Sequence, residues 1–249
     1  MSVKIPESNP LLYVTTQPLH PVKVKSVLDK GEVELEGTYA HDLHVVNSAR
    51  VSMNTRSAFM TEKDAGLIKF LMREKHGTPF EHGYFKFRVK APIFIFREWH
   101  RHRAGHSYNE WSARYSELKP DFYIPEIENV VSQKGKPGNY EFATVYDLAD
   151  ARSFREELKT ASDEAYSRYQ FALELGIAKQ QARLFLPVNI YSEMIWSCNP
   201  RSLMHFLSLR NSDNAQWEIR QYAQVVEEFF VDTMPITAKA FIDGGRVAP

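Results

Sequence analysis

Alternating apolar and polar residues predict several β-strands in this chain. Residues 24–36 alternate around Asp29-Lys30-Gly31, which is typical of two short strands joined by a tight turn. Residues 84–89 (YFKFRV) alternate in the same way and indicate a half-buried strand. Residues 189–199 are rich in aromatic and β-branched side chains, which favour strands, so we predict a further strand there.

Apolar residues spaced three and four positions apart predict helices between and after these strands. Two helices have clear start signals: Thr61 can cap one, and Asn199 followed by Pro200 can begin another. We also expect Asp213 to cap the last long helix. The predicted helices cover residues 42–52, 61–77, 154–176, 177–186, 199–210 and 213–235, and a further one begins at Pro92.

Two stretches lack such patterns. Residues 127–150 contain two glycines and a proline and few large apolar residues before Phe142, which predicts an exposed loop or insertion. Residues 1–23 contain four prolines and are predicted to form an irregular arm.

Composition narrows the class of protein. The chain has 249 residues, 43% of them hydrophobic, and equal numbers of acidic and basic side chains, so one globular domain with a real core is expected. The neutral net charge argues against a broad nucleic-acid surface, which usually carries a basic excess. No apolar run is long enough to span a membrane, and the first residues lack a secretory signal. The single cysteine, Cys198, permits no intrachain disulfide, so a cytoplasmic location fits best.

Residues 97–118 (REWHRHRAGHSYNEWSARYSEL) concentrate the candidate chemistry. Four arginines and three histidines fall here without one lysine. The guanidinium group is a planar, permanently charged fork that suits phosphate, carboxylate or the carbonyl edge of a ring. So many cations close together are costly unless an anion binds among them, and we therefore expect an anionic ligand here.

This segment resembles the signature of the flavin-dependent thymidylate synthases, in which Arg-His-Arg is followed by seven residues and then Ser. Here Arg101-His102-Arg103 is followed by eight residues before Ser112, then Ala113-Arg114-Tyr115. Residues 107–112 (SYNEWS) still match the family's Ser-Tyr-Asn-Glu-x-Ser, so we place the extra residue within 104–106. Further similar motifs are ARVS (49–52), HGTPFEH (76–82), LPVNIY (186–191), NPRSLM (199–204), LR (209–210) and AQWEI (215–219).

The resemblance runs from about residue 24 to about residue 235 and implies a fold and an activity. The implied fold is α/β (α+β), a mostly antiparallel sheet flanked by helices. It would form a single domain over residues 24–249 after an N-terminal extension of residues 1–23. The family forms homotetramers whose active sites are shared between subunits. It makes dTMP from dUMP, with 5,10-methylenetetrahydrofolate as carbon donor, reduced FAD as hydride donor and NADPH as the usual reductant of the flavin.

The resemblance also assigns site residues by position. FAD would be held by Thr78, Arg101, His102, Arg103, Glu110, Asn199, Arg201 and His205. The dUMP substrate would be held by Glu98, Arg101, Glu110, Ser112, Arg114, Arg183 and Arg210. Arg210 would also be catalytic, because a fixed guanidinium beside the uracil can stabilise the negative charge that builds on its O4/N3 side. No protein nucleophile and no metal are needed.

The chain departs from common members at four of its positions. Glu98 stands where Gln is frequent, and His205 stands where Asn is frequent. Asn214 takes the place of a frequent His, and Gly77 the place of a frequent Glu.

Three other functions remain as alternatives. Cys198 could be the nucleophile of a cysteine-dependent methyltransferase, although cysteine is among the most often buried residues. His100, His102 and His106 have ligand-like spacing, but the neighbouring arginines would repel a metal ion. Arginines next to aromatic residues also suit a module that binds single-stranded nucleic acid.

Overall fold

The computed structural model describes residues 23–136, 138–145 and 147–249. The predicted extension, residues 1–23, therefore lies outside the described residues except for Lys23. The strands are β1 (Lys23–Val27), β2 (Gly31–Thr38), β3 (Phe85–Pro92), β4 (His106–Glu110), β5 (Val131–Lys136), β6 (Asn139–Thr144) and β7 (Tyr191–Cys198). The helices are α1 (Asp42–Arg50), α2 (Glu62–Arg73), α3 (Ile93–Trp99), α4 (Leu148–Glu174), α5 (Lys179–Ala182), α6 (Pro200–Arg210), α7 (Trp217–Thr233) and α8 (Pro235–Asp243).

Five strands form one sheet in the order β1-β2-β3-β7-β4, and every neighbouring pair is antiparallel. Strand β7 lies between β3 and β4, with Trp196 opposite Phe87 on one side and Tyr108 on the other. The prediction of a mostly antiparallel sheet flanked by helices is confirmed. A single domain over residues 24–249 stays a prediction.

The core lies between this sheet and helices α6, α7 and α8. Every second residue of β3 is buried, as the alternation predicted. Trp196 of β7 packs on Phe87, with ring centroids 5.1 Å apart, and on Phe206 of α6 at the same separation. Trp99 at the end of α3 stacks on Phe206 at 4.7 Å. Aromatic packing therefore fixes the end of α3 and one face of α6 to the same sheet.

The predicted helix starts are partly confirmed. Thr61 forms a capping box with Asp64 at the start of α2, and the Asn199 side chain caps α6 by accepting from Ser202 N. The predicted cap at Asp213 is wrong, because α7 begins four residues later and Asp213 instead ion-pairs with Arg220 at 3.1 Å. Helix α8 was not predicted.

Residues 127–150 were predicted to form an exposed loop or insertion. The prediction of exposure is confirmed, and the prediction of a loop is wrong. The segment holds the β5–β6 hairpin, whose described residues are all exposed, followed by the first turn of α4. Asp147 caps α4 by accepting from Ala149 N at 2.8 Å, so the helix begins before residue 154. The alternation of apolar and polar residues in this hairpin is weak because neither of its faces is buried. Among the described helices, none is both long and apolar enough to cross a membrane.

Candidate active site

The Arg-His-Arg segment forms the turn that follows α3. His102 N donates to the carbonyl of Trp99, which bends the chain and carries the His102 ring inward. His102 is buried, while Arg101 and Arg103 on either side are exposed. The turn therefore separates the three residues: the imidazole joins the interior, and both guanidinium groups face outward.

Arg210, at the end of α6, is fixed at three points by this region. Its Nε donates to His102 Nε2 at 3.0 Å. Its Nη1 donates to the Glu98 carboxylate at 2.9 Å, and its Nη2 donates to the backbone carbonyl of Glu98, also at 2.9 Å. The structure thus brings together three predicted site residues from α3, the turn and α6.

These contacts determine the protonation of His102. Burial, followed by the positive charges of Arg210 and of His106 and His205, lowers its pKa to about 3. Because Nε2 accepts a hydrogen bond, the single proton of the neutral ring lies on Nδ1. Desolvation raises the pKa of Glu98, an effect that the Arg210 charge opposes.

Two further histidines lie beside His102. His106 and His205 each have their ring centroid 5.8 Å from that of His102. The His106 Nδ1 accepts a hydrogen bond from Trp196 Nε1 at 3.0 Å, and burial lowers the pKa of His106 to about 4. The sequence analysis placed His106 with His102 only as a possible metal ligand and not among the FAD or dUMP residues. Its place within the lengthened motif was the available signal.

The lengthened turn packs directly against the start of α6. Gly105 has φ +72°, and a Cβ there would overlap the Ser202 hydroxyl, so only glycine fits without rearrangement. Ser202 Oγ donates to the carbonyl of Ala104 at 2.8 Å. The extra residue therefore lies at the Asn199 end of α6, next to another predicted cofactor residue.

Arg201 is held beside the segment that carries Thr78. Its Nη1 lies 2.5 Å from the Glu81 carboxylate, and its Nε donates to the carbonyl of Pro249 at 2.8 Å. Its guanidinium also lies against Gly77, where a Cβ would overlap it. The contacts of Glu81 and Pro249 with Arg201 were not foreseen, because they join segments far apart in the sequence.

A second group of predicted residues lies around α5. Ser112 and Arg114 follow β4, and Lys179 ties this loop to α5 by approaching the carbonyl of Tyr115 and the carboxylate of Glu117, at 3.4 and 3.5 Å. Arg183 follows α5 directly and is exposed. The link through Lys179 brings Arg114 and Arg183 to the same part of the molecule.

Glu110 lies at the end of β4, between the two groups. Desolvation of its carboxyl raises the pKa of Glu110, whereas the positive charges of His100 and Arg183 lower it.

The arginines in this part of the molecule fit an anionic ligand. Arg101, Arg103, Arg114 and Arg183 are exposed, and none of them forms an ion pair with a carboxylate of the described residues. Exposed guanidinium groups without a protein counter-ion are suited to phosphate groups. This donor set fits both a dinucleotide cofactor such as FAD and a nucleotide monophosphate.

Two cavities of the single chain are lined by none of the predicted site residues. A cavity of about 720 Å³ lies between β1 and α7, and one of about 560 Å³ lies beside α1. A smaller cavity, of about 280 Å³, includes one predicted cofactor residue, Asn199. None of these three cavities contains more than one of the predicted site residues.

Two of the alternative chemistries can be compared with this geometry. Cys198 is buried at the end of β7, and burial raises its thiol pKa well above the usual range. In the described part of the chain, no group of three or more His, Cys, Asp or Glu residues could hold a metal ion.

Known proteins resemble this chain over most of its length. A family model described as "Thymidylate synthase complementing protein" matches residues 35–236. The flavin-dependent thymidylate synthase of Tropheryma whipplei (strain TW08/27) is 46% identical over 239 residues, which cover 89% of this chain and 96% of the relative. That of Thermotoga neapolitana is 43% identical over 216 residues, covering 87% and 93% of the two chains. The crystal structure of the UMP/dUMP methylase PolB from Streptomyces cacaoi bound with 5-Br dUMP aligns with a TM-score of 0.82 and 40% identity, covering 90% of this chain and all of that one.

Proposed function

Because the chain belongs to the family of flavin-dependent thymidylate synthases, we propose that it is a cytoplasmic enzyme that converts dUMP to dTMP by reductive methylation. The proposed carbon donor is 5,10-methylenetetrahydrofolate, the cofactor is FAD, and the reductant is NADPH. The solved relative bound to 5-Br dUMP supports a uridine nucleotide as substrate.

The observation that carries this proposal is the fixed guanidinium of Arg210. For C5 of uracil to bond to the one-carbon donor, negative charge must build up on the O4/N3 side of the ring. A donor that is already oriented stabilises such charge without reorganising during the reaction. Arg210 meets this requirement, because Glu98 and His102 hold its guanidinium before any substrate binds.

The remaining exposed arginines suit the phosphate groups of the substrate and cofactor. We assign the dUMP phosphate to Arg114 and Arg183, with the Ser112 hydroxyl as a further donor, because a phosphate dianion favours bidentate guanidinium contacts. Glu110 and Arg101 would contact both ligands.

The proposed cofactor residues lie on the turn after α3, at the end of β4, on the segment before β3, and on the N-cap and the exposed face of α6. They are Thr78, Arg101, His102, Arg103, Glu110, Asn199, Arg201 and His205. When bound, FAD supplies the hydride for the methyl group. The chain's own cations would orient its phosphates and favour the anionic reduced ring.

The buried thiol of Cys198 supports a route without a protein nucleophile. A thiol in an apolar environment, with its pKa raised, carries little thiolate at neutral pH. The cysteine-dependent alternative requires that thiolate.

A homotetramer with shared sites is supported by the exposed apolar surface around α4 and α5. Seven large apolar side chains there are at least 40% exposed in the single chain: Phe154, Phe171, Leu175, Ile177, Leu184, Phe185 and Val188. Large exposed apolar side chains, concentrated here at the C-terminal end of α4 and around α5, are typical of an interface.

The test is an anaerobic assay of dTMP formation from dUMP, methylenetetrahydrofolate and NADPH by the FAD-loaded protein. We expect product that depends on all three substrates. The variant Cys198→Ala should retain activity, whereas Arg210→Ala should lose most of it. Loss of activity in Cys198→Ala together with a fully active Arg210→Ala would favour the cysteine route instead.

A further inference from the structure

Glu98 makes its contacts with Arg210 through two different groups. The side-chain carboxylate accepts from Nη1, and the backbone carbonyl accepts from Nη2, each at 2.9 Å. Together with the bond from Nε to His102, these use three of the five N–H groups of the guanidinium. One N–H on each terminal nitrogen is left for a ligand. The orientation of the guanidinium is therefore fixed by the turn after α3.

The charge of Glu98 is difficult to explain as a direct contact with the substrate. dUMP brings a phosphate dianion, and its uracil gains negative charge during the reaction, so a carboxylate beside either of these two groups would be repelled. The ion pair with Arg210 gives another explanation for the negative charge of Glu98. The Arg210 side chain is only 19% exposed, and a partly buried cation is stabilised by a nearby carboxylate.

We propose that Glu98 is a positioning residue for Arg210 rather than a substrate ligand, an inference that rests on the proposed function. Its carboxylate and its carbonyl hold the guanidinium so that the two remaining N–H groups face the uracil. His102 is the third fixed point, because its Nε2 can accept only while the ring is neutral. The contribution of Glu98 to the reaction therefore passes through the geometry of Arg210.

Three substitutions distinguish this role from a direct one. Glu98→Gln keeps an acceptor oxygen in the same place and removes the charge. Glu98→Asp keeps the charge and withdraws the carboxylate by one methylene. Glu98→Ala removes both. If position is what matters, Gln should replace Glu98 well and Asp should replace it poorly.

The kinetic readout is the division of the effect between kcat and KM for dUMP. We expect Glu98→Gln to stay within a few-fold of the wild type in kcat. We expect Glu98→Asp and Glu98→Ala to lose about ten- to a hundredfold, since a catalytic group that is misplaced by about 1 Å can cost this much. KM for dUMP should change much less than kcat in all three, because Arg114 and Arg183, which are proposed to hold the phosphate in the ground state, do not depend on Glu98. The inference is overturned if Asp retains activity and Gln loses it, if both behave alike, or if KM rises in proportion to the loss.

A second readout needs no turnover. In protein labelled with ¹⁵N-arginine, the Arg210 Nη1–H signal, which reports the bond to the Glu98 carboxylate, is identified by its loss in Arg210→Lys. Its hydrogen exchange should be slow in the wild type and in Glu98→Gln, and fast in Glu98→Ala. Fast exchange in the wild type would contradict the fixed geometry. If the wild type forms no dTMP but this protection pattern holds, the proposed function fails and the positioning of Arg210 by Glu98 stands.

Discussion

At the scale of single residues, the site depends on a few polar contacts made by buried or half-buried groups. The contacts of Arg210 illustrate which of these interactions cannot be predicted from the sequence. As a cation at the end of a predicted helix, Arg210 is explained equally well as a partner of the helix dipole. Its proposed catalytic role came only from the family resemblance. The contacts with Glu98 and His102 could not be predicted, because they join residues more than a hundred positions apart.

The buried histidines predict a loss of stability in acid. The pKa of His106 lies near 4 in the folded chain, against an ordinary value of 6.5, so between these values the unfolded chain binds more protons. Stability from His106 is therefore complete above pH 6.5 and falls as the pH drops towards 4, by up to about 1.4 kcal/mol per pH unit. His106→Asn, which keeps an acceptor for Trp196, should have a flatter dependence by about this slope.

The measurement is urea unfolding at a constant protein concentration at several pH values. When the stability of each protein is expressed relative to its value at pH 4, the wild type should gain more stability than His106→Asn as the pH rises to 6.5. Parallel curves for wild type and His106→Asn between pH 4 and 6.5 would contradict the account of the His106 environment.

Substitution of Gly77 by alanine should weaken FAD binding more than it lowers the stability of the fold. A Cβ at this position would overlap the Arg201 guanidinium, which must then move away from Glu81. We expect Gly77→Ala to weaken FAD binding by about 1 kcal/mol, or roughly fivefold, as one charged hydrogen bond is lost. The measurement is the dissociation constant of FAD by titration of the apoprotein.

Gly66 offers a matched control. It lies exposed within α2, with open space where a Cβ would be placed. Gly66→Ala should therefore stabilise the protein by about 0.5–1 kcal/mol and leave FAD binding unchanged. An unchanged FAD affinity in Gly77→Ala would show that Arg201 is not oriented by this packing.

At the scale of elements, helix α6 links the core to the proposed site. Its buried face packs on the sheet, while Arg201 and His205 share the exposed face and Arg210 ends the helix. This much was predictable, because Asn199 and Pro200 mark the start and the apolar spacing gives the buried face. The predicted helix cap at Asp213 was wrong because residues that cap helices are also common in turns. The Asp213 carboxylate forms an ion pair with Arg220 instead. The lengthened turn at Gly105 could be placed in the sequence, but its packing on Ser202 could not.

The β5–β6 hairpin is expected to contribute little to the stability of the fold. All of its described residues are exposed, and the residues at its base already meet through a hydrogen bond from Val145 N to the carbonyl of Val130 at 3.0 Å. Replacing residues 131–144 by a short Gly-Ser linker should change the Tm by no more than about 2 °C.

The contrasting variant is Thr61→Ala, which removes the side-chain cap of α2. It should cost about 1 kcal/mol, because the capping box of Thr61 and Asp64 satisfies free N–H groups at the helix start. Thermal unfolding of both variants tests the comparison. A hairpin deletion that costs more than Thr61→Ala would show that the hairpin packs against something outside the single chain.

At the scale of the whole molecule, the family prediction from the motifs is confirmed by the matches over most of the chain. The antiparallel sheet flanked by helices is confirmed as well. In the single chain the predicted site residues lie in two groups, and the exposed arginines among them are not enclosed by other described residues. Completion of the site by other subunits would explain this arrangement.

The assembly should depend on the apolar surface around α4 and α5. We expect a solution mass near four times the 28.9 kDa of the chain. Leu184 is 81% exposed, and Leu184→Asp should give smaller species and lower dTMP formation, because a charge cannot be buried at an interface without a partner. Phe142→Asp, on the exposed hairpin, is the control and should keep the wild-type mass. Light scattering that shows a monomeric wild type would contradict shared sites.

The most direct test of the central claim is a single-turnover experiment with the FAD-loaded protein in the absence of oxygen. NADPH should bleach the flavin absorbance, faster when dUMP is present. Addition of methylenetetrahydrofolate should then restore the absorbance and yield one dTMP per reduced flavin. A protein that binds no FAD, or whose reduced flavin is not reoxidised when dTMP forms, would contradict the proposal that flavin carries the reducing equivalents.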